Sequence, residues 1–228
     1  MESLENLLKN NKLAINISLA CLIGFLIVTF LIGSLAGINA EVNSWAATIH
    51  TRSFTLIAKL VADGFDTTPL LAISLVIGVV LFLLKMRKNA LLLVGAMVGN
   101  AVILEALKTI IYSPRPLNEM VLEVDNSFPS GHVTSTVVFF GLLAYFSWQI
   151  WKSTRVKVAS SILLVALAFF VGFTRLYLNV HWLSDVVGGY LLGIFWLTLC
   201  VAITPYLFQV YKEKLGKRTL TKQQIHHH

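Results

Sequence analysis

Residues 90–116 read ALLLVGAMVGNAVILEALKTIIYSPRP. From Ala90 to Ile111 the only charged residues are Glu105 and Lys108. About 20 apolar residues in a helix cross a hydrocarbon core of ~30 Å. Lipid offers no water to satisfy peptide groups, so such a run must be helical. Pro114 and Pro116 cannot continue it, which predicts a helix end near Tyr112. Lys108, six intervening residues and then Arg115-Pro116 therefore place two cations at the end of a span. Charge is costly there and marks a functional site.

Five more apolar runs follow the same logic: Leu13–Gly33, Pro69–Met86, Val133–Trp151, Val156–Leu176 and Leu183–Tyr211. The chain has 228 residues, of which 57% are hydrophobic and 13% charged; soluble domains carry about 25% charged residues. The expected fold is all-α: a polytopic membrane protein with six transmembrane helices, one membrane-embedded domain over residues 1–225. His226–His228 reads as a purification-tag remnant. Leu13–Gly33 is too long for the ~7–15-residue core of a signal peptide, and it reads as the first span. The last run is longer than a bilayer needs, so it tilts or emerges as helix. Cys21 and Cys200 lie inside runs and read as packing residues.

The net charge of +7 could point to nucleic acid. Its distribution argues otherwise. With the N-terminus in the cytoplasm and six helices threaded, thirteen of eighteen Lys and Arg fall on the cytoplasmic side: Lys9, Lys12, Lys85, Arg87, Lys88, Lys152, Arg155, Lys157, Lys212, Lys214, Lys217, Arg218 and Lys222. That is the positive-inside pattern, with both termini cytoplasmic. Three of the exceptions, Lys108, Arg115 and Arg175, belong to short polar blocks that all emerge on the other, outer side. Residues 36–66 are also outer. Ala46, Ile49, Ser53, Leu56 and Leu60 recur at helical spacing, while Arg52, Lys59 and Asp63 interrupt too often for a span, so this segment reads as a helix lying in the interface. Its His50 has no evident partner and reads as incidental. Tyr112, Tyr177 and Trp182 read as interfacial aromatic anchors.

The polar blocks share one chemistry. Arg115 and Arg175 offer planar forks for phosphate oxygens, and Lys108 a compact charge. Each by itself is equally a snorkelling residue at a helix end, and Glu105, three residues before Lys108, is a candidate structural partner for it. Ser130-Gly131, within Pro129–His132, precedes a helix whose N-terminal N–H groups favour an anion; a helix cap explains the serine equally well. His181 and Asp185 are four apart, on one face if the last helix has begun. An aspartate on one ring nitrogen leaves the other free to attack. His132 is then available as acid and later as base. Two histidines and an aspartate are also a metal-ligand set, but three nearby cations would repel a divalent ion.

In order and spacing these blocks resemble the signature of the type 2 phosphatidic acid phosphatase family, which shares its site with vanadium haloperoxidases and class A bacterial acid phosphatases. Lys108 with Arg115-Pro116 is similar to the first motif, Pro129–His132 to the second, and Arg175, His181 and Asp185 to the third. Thr174 stands where the family usually has serine. The resemblance implies that His181 attacks phosphorus and forms a phosphohistidine, with Asp185 orienting it. His132 would protonate the leaving oxygen and then activate water. Lys108, Arg115, Ser130, Gly131 and Arg175 would bind phosphate. It implies no metal and no cofactor.

The expected protein is a lipid phosphatase in the plasma membrane of a bacterium or archaeon, taking a lipid phosphate from the outer leaflet. Undecaprenyl or another polyprenyl diphosphate is the first substrate reading. Phosphatidylglycerophosphate, phosphatidate and diacylglycerol pyrophosphate are the alternatives. A flippase without hydrolysis is a rival, but the midplane polar residues it would need reduce to Asn100 and Glu105. A vanadate-dependent haloperoxidase shares the phosphate site but has no evident reason to be embedded in a membrane.

Overall fold

A computed structural model describes residues 11–225, with side chains to Val210. Lys9, the side chains of the basic residues beyond Val210, and His226–His228 lie outside this description. The helices are α1 Lys12–Leu31, α2 Ala36–Thr48, α3 Arg52–Gly64, α4 Thr67–Leu83, α5 Arg87–Ile110, α6 Gly131–Ile150, α7 Thr154–Tyr177 and α8 Leu183–Ile225. The described residues contain no strand. Helices α1, α5, α6, α7 and Leu183–Val210 of α8 are each long and apolar enough to cross a membrane. The pair α3–α4, bent by 56°, passes the same test together and makes five spans into six where it counts as one. Phe30, Val76, Leu83, Ile162 and Phe169 are exposed on the bundle's outside. An apolar surface on helices of this length suits contact with lipid. The protein is an integral membrane protein.

Helix α6 is the axis. Its first ten residues are all buried, and it packs against α5, α7 and α8. Its approach to α8 depends on missing side chains. A Cβ at Gly193 would sit 2.8 Å from Cβ of Val137, and one at Gly189 3.0 Å from the Ser130 carbonyl. Small residues of this kind let helices meet closely in lipid, where packing rather than hydrophobic burial drives association. The contact carries a backbone bond from Ser130 N–H to the Asp185 carbonyl, 3.1 Å. The second polar block is thereby joined to the first turn of α8.

The outer segment differs from the expected single helix. It breaks at Ile49–Thr51 into α2 and α3, and Thr51 caps α3 by accepting from Phe54 N–H. Both helices dock on the junction between α7 and α8. Asn39 accepts from Ser184 N–H and donates to Ser184 Oγ, each at 3.0 Å, which caps α8 from outside. Asn179 donates to the Asn43 carbonyl. Tyr177 is buried rather than interfacial, because its hydroxyl accepts from Thr51 N–H at 2.7 Å and contacts Thr55. The His50 ring bonds the Tyr177 carbonyl and meets its ring edge-on, so His50 is a docking residue. Tyr112 is exposed as an anchor would be.

Replacing Gly193 by leucine should force α6 and α8 apart. Overpacking costs about 1–3 kcal/mol. We expect a lower thermal midpoint in detergent and loss of the α6–α8 register. An unchanged midpoint would mean that this crossing tolerates separation.

Candidate phosphate site

The three blocks meet at one end of the bundle, at the end of α5 and the starts of α6 and α8. The exposed Lys85, Arg87, Lys88, Lys152 and Arg155 lie in the turns, or the first helical turns after them, at the opposite end. Each block is positioned by ordinary local rules. Helix α7 ends in a Schellman motif: Asn179 takes φ 54°, its N–H bonds the Leu176 carbonyl, and Val180 N–H bonds the Arg175 carbonyl. Asparagine tolerates that left-handed position. The turn reverses the chain so that His181 arrives beside Arg175, although five residues separate them. Leu178 and Val180 anchor it in a small core with Ala58 and Ala62 of α3.

His181 and Asp185 do pair, but not as neighbours on a helix face. Helix α8 begins at Leu183, so His181 lies before it. The Asp185 side chain reaches back as the arm of a capping box, accepting from Trp182 N–H at 2.8 Å; Asp185 N–H in turn donates to the Trp182 carbonyl. The same Oδ2 lies 3.3 Å from His181 Nδ1. Capping and histidine orientation are thus one feature. Trp182 Nε1 holds the Pro114 carbonyl, joining the first block to the third.

Ser130 is the N-cap residue of α6, yet its hydroxyl makes no capping bond. Its Oγ is buried without a partner, as are Nε and Nη1 of Arg175 and Nε2 of His181. Unpaired buried polar atoms are costly, and four from the second and third polar blocks of one site indicate a ligand position.

An acidic loop partly fills it. Glu123 forms ion pairs with Arg175 and, at 2.7 Å, with Arg115, and its Oε2 lies 4.0 Å from His181 Nε2. Asp125 pairs with Lys108 and Arg115. Lys108 therefore turns to Asp125, and the pairing considered with Glu105 is not formed. Arg115 is further fixed by donating from Nη1 to the Val180 carbonyl and from Nε to the Asp125 carbonyl. Leu122 and Val124, which alternate with these acids, face outward. Burial alone would push the Asp125 carboxyl up, but Lys108 and Arg115 outweigh it and hold the group below its usual range. Neither Glu123 nor Asp125 is among the site residues expected from the sequence. Their signal was there: acids two apart in an extended loop, flanked by apolar residues, between two cationic blocks.

Burial, and then Arg115, Arg175, Lys108 and His132, hold His181 well below its ordinary pKa. A neutral ring that donates Nδ1–H to Asp185 presents a lone pair on Nε2. That is the form able to attack an electrophile. His132 sits on the first turn of α6, its Nε2 3.0 Å from the Ala62 carbonyl. Ala62, Asp66, Leu104, Lys108, Glu123 and His132 line a cavity of about 690 Å³. The structure thus gathers all eight residues expected from the sequence around one end of the bundle.

Residues 89–209 match the model of the PAP2 superfamily, and the chain belongs to that family. It is a membrane phosphatase of this class. It is 31% identical, over 61% of its length and 68% of the relative's, to phosphatidylglycerophosphatase B of Bacillus subtilis. A putative undecaprenyl-diphosphatase of Escherichia coli, YbjG, is 40% identical over 31% of each chain. The crystal structure of a transmembrane PAP2-type phosphatidylglycerolphosphate phosphatase from Bacillus subtilis has the same fold, with a TM-score of 0.78 at 24% identity, covering 83% of this chain and 96% of that one.

The depressed His181 titration has a sign. Its neutral form persists below pH 6.5, so the acid limb of kcat/KM assigned to the nucleophile should lie below that value. It should move upward when Arg115 is replaced by methionine, because one repelling cation is removed. A limb that stays in place in that variant would mean that Arg115 does not act on His181.

Proposed function

We propose that the protein hydrolyses a lipid diphosphate of the polyprenyl type, such as undecaprenyl diphosphate, through a phosphohistidine on His181. One observation carries this reading: a carboxylate lies between two guanidinium groups, 4.0 Å from the free nitrogen of His181. A phosphoryl group seated there meets its nucleophile and its charge partners together. Arg115, Arg175, Lys108, Ser130 Oγ and the N–H groups at the start of α6 would take the growing negative charge. His181 Nε2 forms the P–N bond as the bridging P–O bond breaks, and His132 gives the departing oxygen a proton. Water then attacks phosphorus as the P–N bond breaks and its electron pair returns to His181 Nε2; His132 takes the water's proton, and phosphate leaves. Three cations supply the charge neutralisation that a metal would otherwise bring, so chelators should not reduce turnover.

The name of the Escherichia coli relative favours the diphosphate; that of the Bacillus subtilis relative favours phosphatidylglycerophosphate as the second reading. Lys85, Arg87, Lys88, Lys152 and Arg155, opposite the site, favour an outward-facing site under the positive-inside rule. The substrate would then come from the outer leaflet. The flippase reading loses its main candidate, since Asn100 is buried and donates to Ser135 Oγ.

Phosphate release from purified protein should be measured on undecaprenyl diphosphate, phosphatidylglycerophosphate and phosphatidate in detergent with chelator present. We expect the diphosphate to have the highest kcat/KM and His181→Ala to release nothing. No release from any lipid, or release by His181→Ala, would refute the proposal.

In this reading Glu123 holds the place of the phosphate and must leave as substrate binds. Glu123→Gln removes the competing charge, so KM should fall a few-fold with kcat nearly unchanged. A raised KM would make Glu123 part of the substrate site instead.

A further inference from the structure

The mechanism above asks His132 to become a cation among cations. Lys108 lines the same cavity as His132, and Glu123, which also lines it, holds Arg115 and Arg175. What lies behind the His132 ring decides whether that form is accessible. The α3–α4 elbow lies there. His132 Nε2 is 3.0 Å from the Ala62 carbonyl at the end of α3 and 3.7 Å from Asp66 Oδ1 at the start of α4. The Ala62 carbonyl can only accept, so Nε2 carries the hydrogen, with Asp66 behind it at ion-pair distance, and Nδ1 is left to exchange a proton with a substrate.

Asp66 is the N-cap residue of α4, but its side chain makes no capping bond. An aspartate here ordinarily binds the N–H groups of its own helix; this one instead comes within 4 Å of the histidine. The elbow is held in register from the next position. Thr67 Oγ1 bonds Ser135 Oγ at 2.9 Å, and Asn100 Nδ2 donates to the same oxygen. Ser135 is on α6, three residues past His132. Thr67 also packs close against Gly131, where a Cβ would stand 3.4 Å from its Oγ1. The cavity beside His132 opens between Asp66, Thr67 and Leu104, which gives a leaving group room next to the ring.

We infer that Asp66 is a positioning residue for His132, the counterpart of Asp185 for His181. The Ala62 carbonyl fixes Nε2–H, and Asp66 behind it offsets the positive charge of the ring. Asp66 neither gains nor loses a proton. In the first step Nδ1–H passes to the departing oxygen while His181 Nε2 bonds phosphorus; in the second Nδ1 takes a proton from the attacking water. This inference rests on the phosphatase reading.

The test compares leaving groups. A series of phosphate esters from p-nitrophenyl, a weakly basic leaving group, to alkyl, a strongly basic one, is followed by rapid quench over the first turnover. Asparagine is as good an N-cap as aspartate, so Asp66→Asn should fold. We expect it to lose on the order of tenfold with alkyl esters, within the ~10²–10⁴ that general acid catalysis supplies, and little with p-nitrophenyl phosphate. KM should hold, and Asp66→Glu should recover part of the rate. In a His132→Ala background, Asp66→Asn should cost nothing further. Equal loss across the series, a change in KM alone, or additive loss with His132→Ala would overturn the assignment. A wild type that releases no phosphate sinks the phosphatase reading, and the ring can still be examined without turnover: ¹⁵N spectra of His132 should show Nε2 protonated, and a hydrogen-free Nε2 would overturn the assignment.

Discussion

A fully buried guanidinium, that of Arg175, sits at the end of an apolar bundle. Burying an ion costs several kcal/mol unless it is paired, and much of the site follows from that requirement. Glu123 turns inward to pair with it and with Arg115, and Asp125 follows to Lys108 and Arg115. The loop that carries these acids is thereby folded over the site with its apolar residues outward. In the proposed reaction a phosphate takes over the pairing, so binding exchanges one anion for another instead of desolvating bare cations. The unpartnered Nε and Nη1 of Arg175 and the unpartnered Ser130 Oγ are what the phosphate adds to the exchange.

The second requirement is register. Glycines on α8 admit α6 closely enough for Ser130 N–H to reach the Asp185 carbonyl. This sets the anion-binding start of α6 beside the start of α8, where His181 is held by Asp185. The outer helices complete the arrangement. Asn39 caps α8, and Tyr177 and Asn179 fasten the α7 end to α2, α3 and the turn between them. The proposed nucleophile lies in a loop, yet hydrogen bonds from three directions and a small core immobilise its flanks. Such preorganisation is what electrostatic catalysis requires.

Much of this was legible in the chain. Apolar run length located the spans, because lipid leaves the backbone no other choice. Lys108, Arg115, Ser130, Gly131, His132, Arg175, His181 and Asp185 stood out as polar residues where polarity is costly. Some reasons differed from the outcome. His181 and Asp185 meet through a capping box and not along a helix face. Tyr177 reads as an interfacial anchor in the sequence, since a tyrosine at a span end has the same local pattern whether it faces lipid or a docked helix. Residues 36–66 read as one helix in the sequence, because Ile49–Thr51 contains no proline or glycine to mark the break.

What the sequence determined by itself was the class of environment and the kind of chemistry. Both depend on residue type and local spacing: apolar length for the bilayer, and cations with paired histidines for phosphate. What only the tertiary structure decided was which groups oppose one another. Glu123 and Asp125 pair with cations brought in from other segments, and Asp66 backs His132 across 66 positions of chain. The spacing of the two loop acids marks them but not the cations they meet, and Asp66 reads as an ordinary helix cap. An ion pair or a shared proton depends on a few ångströms of separation, and only the packing of α3, α4 and α6 and the fold of the α5–α6 loop set those distances.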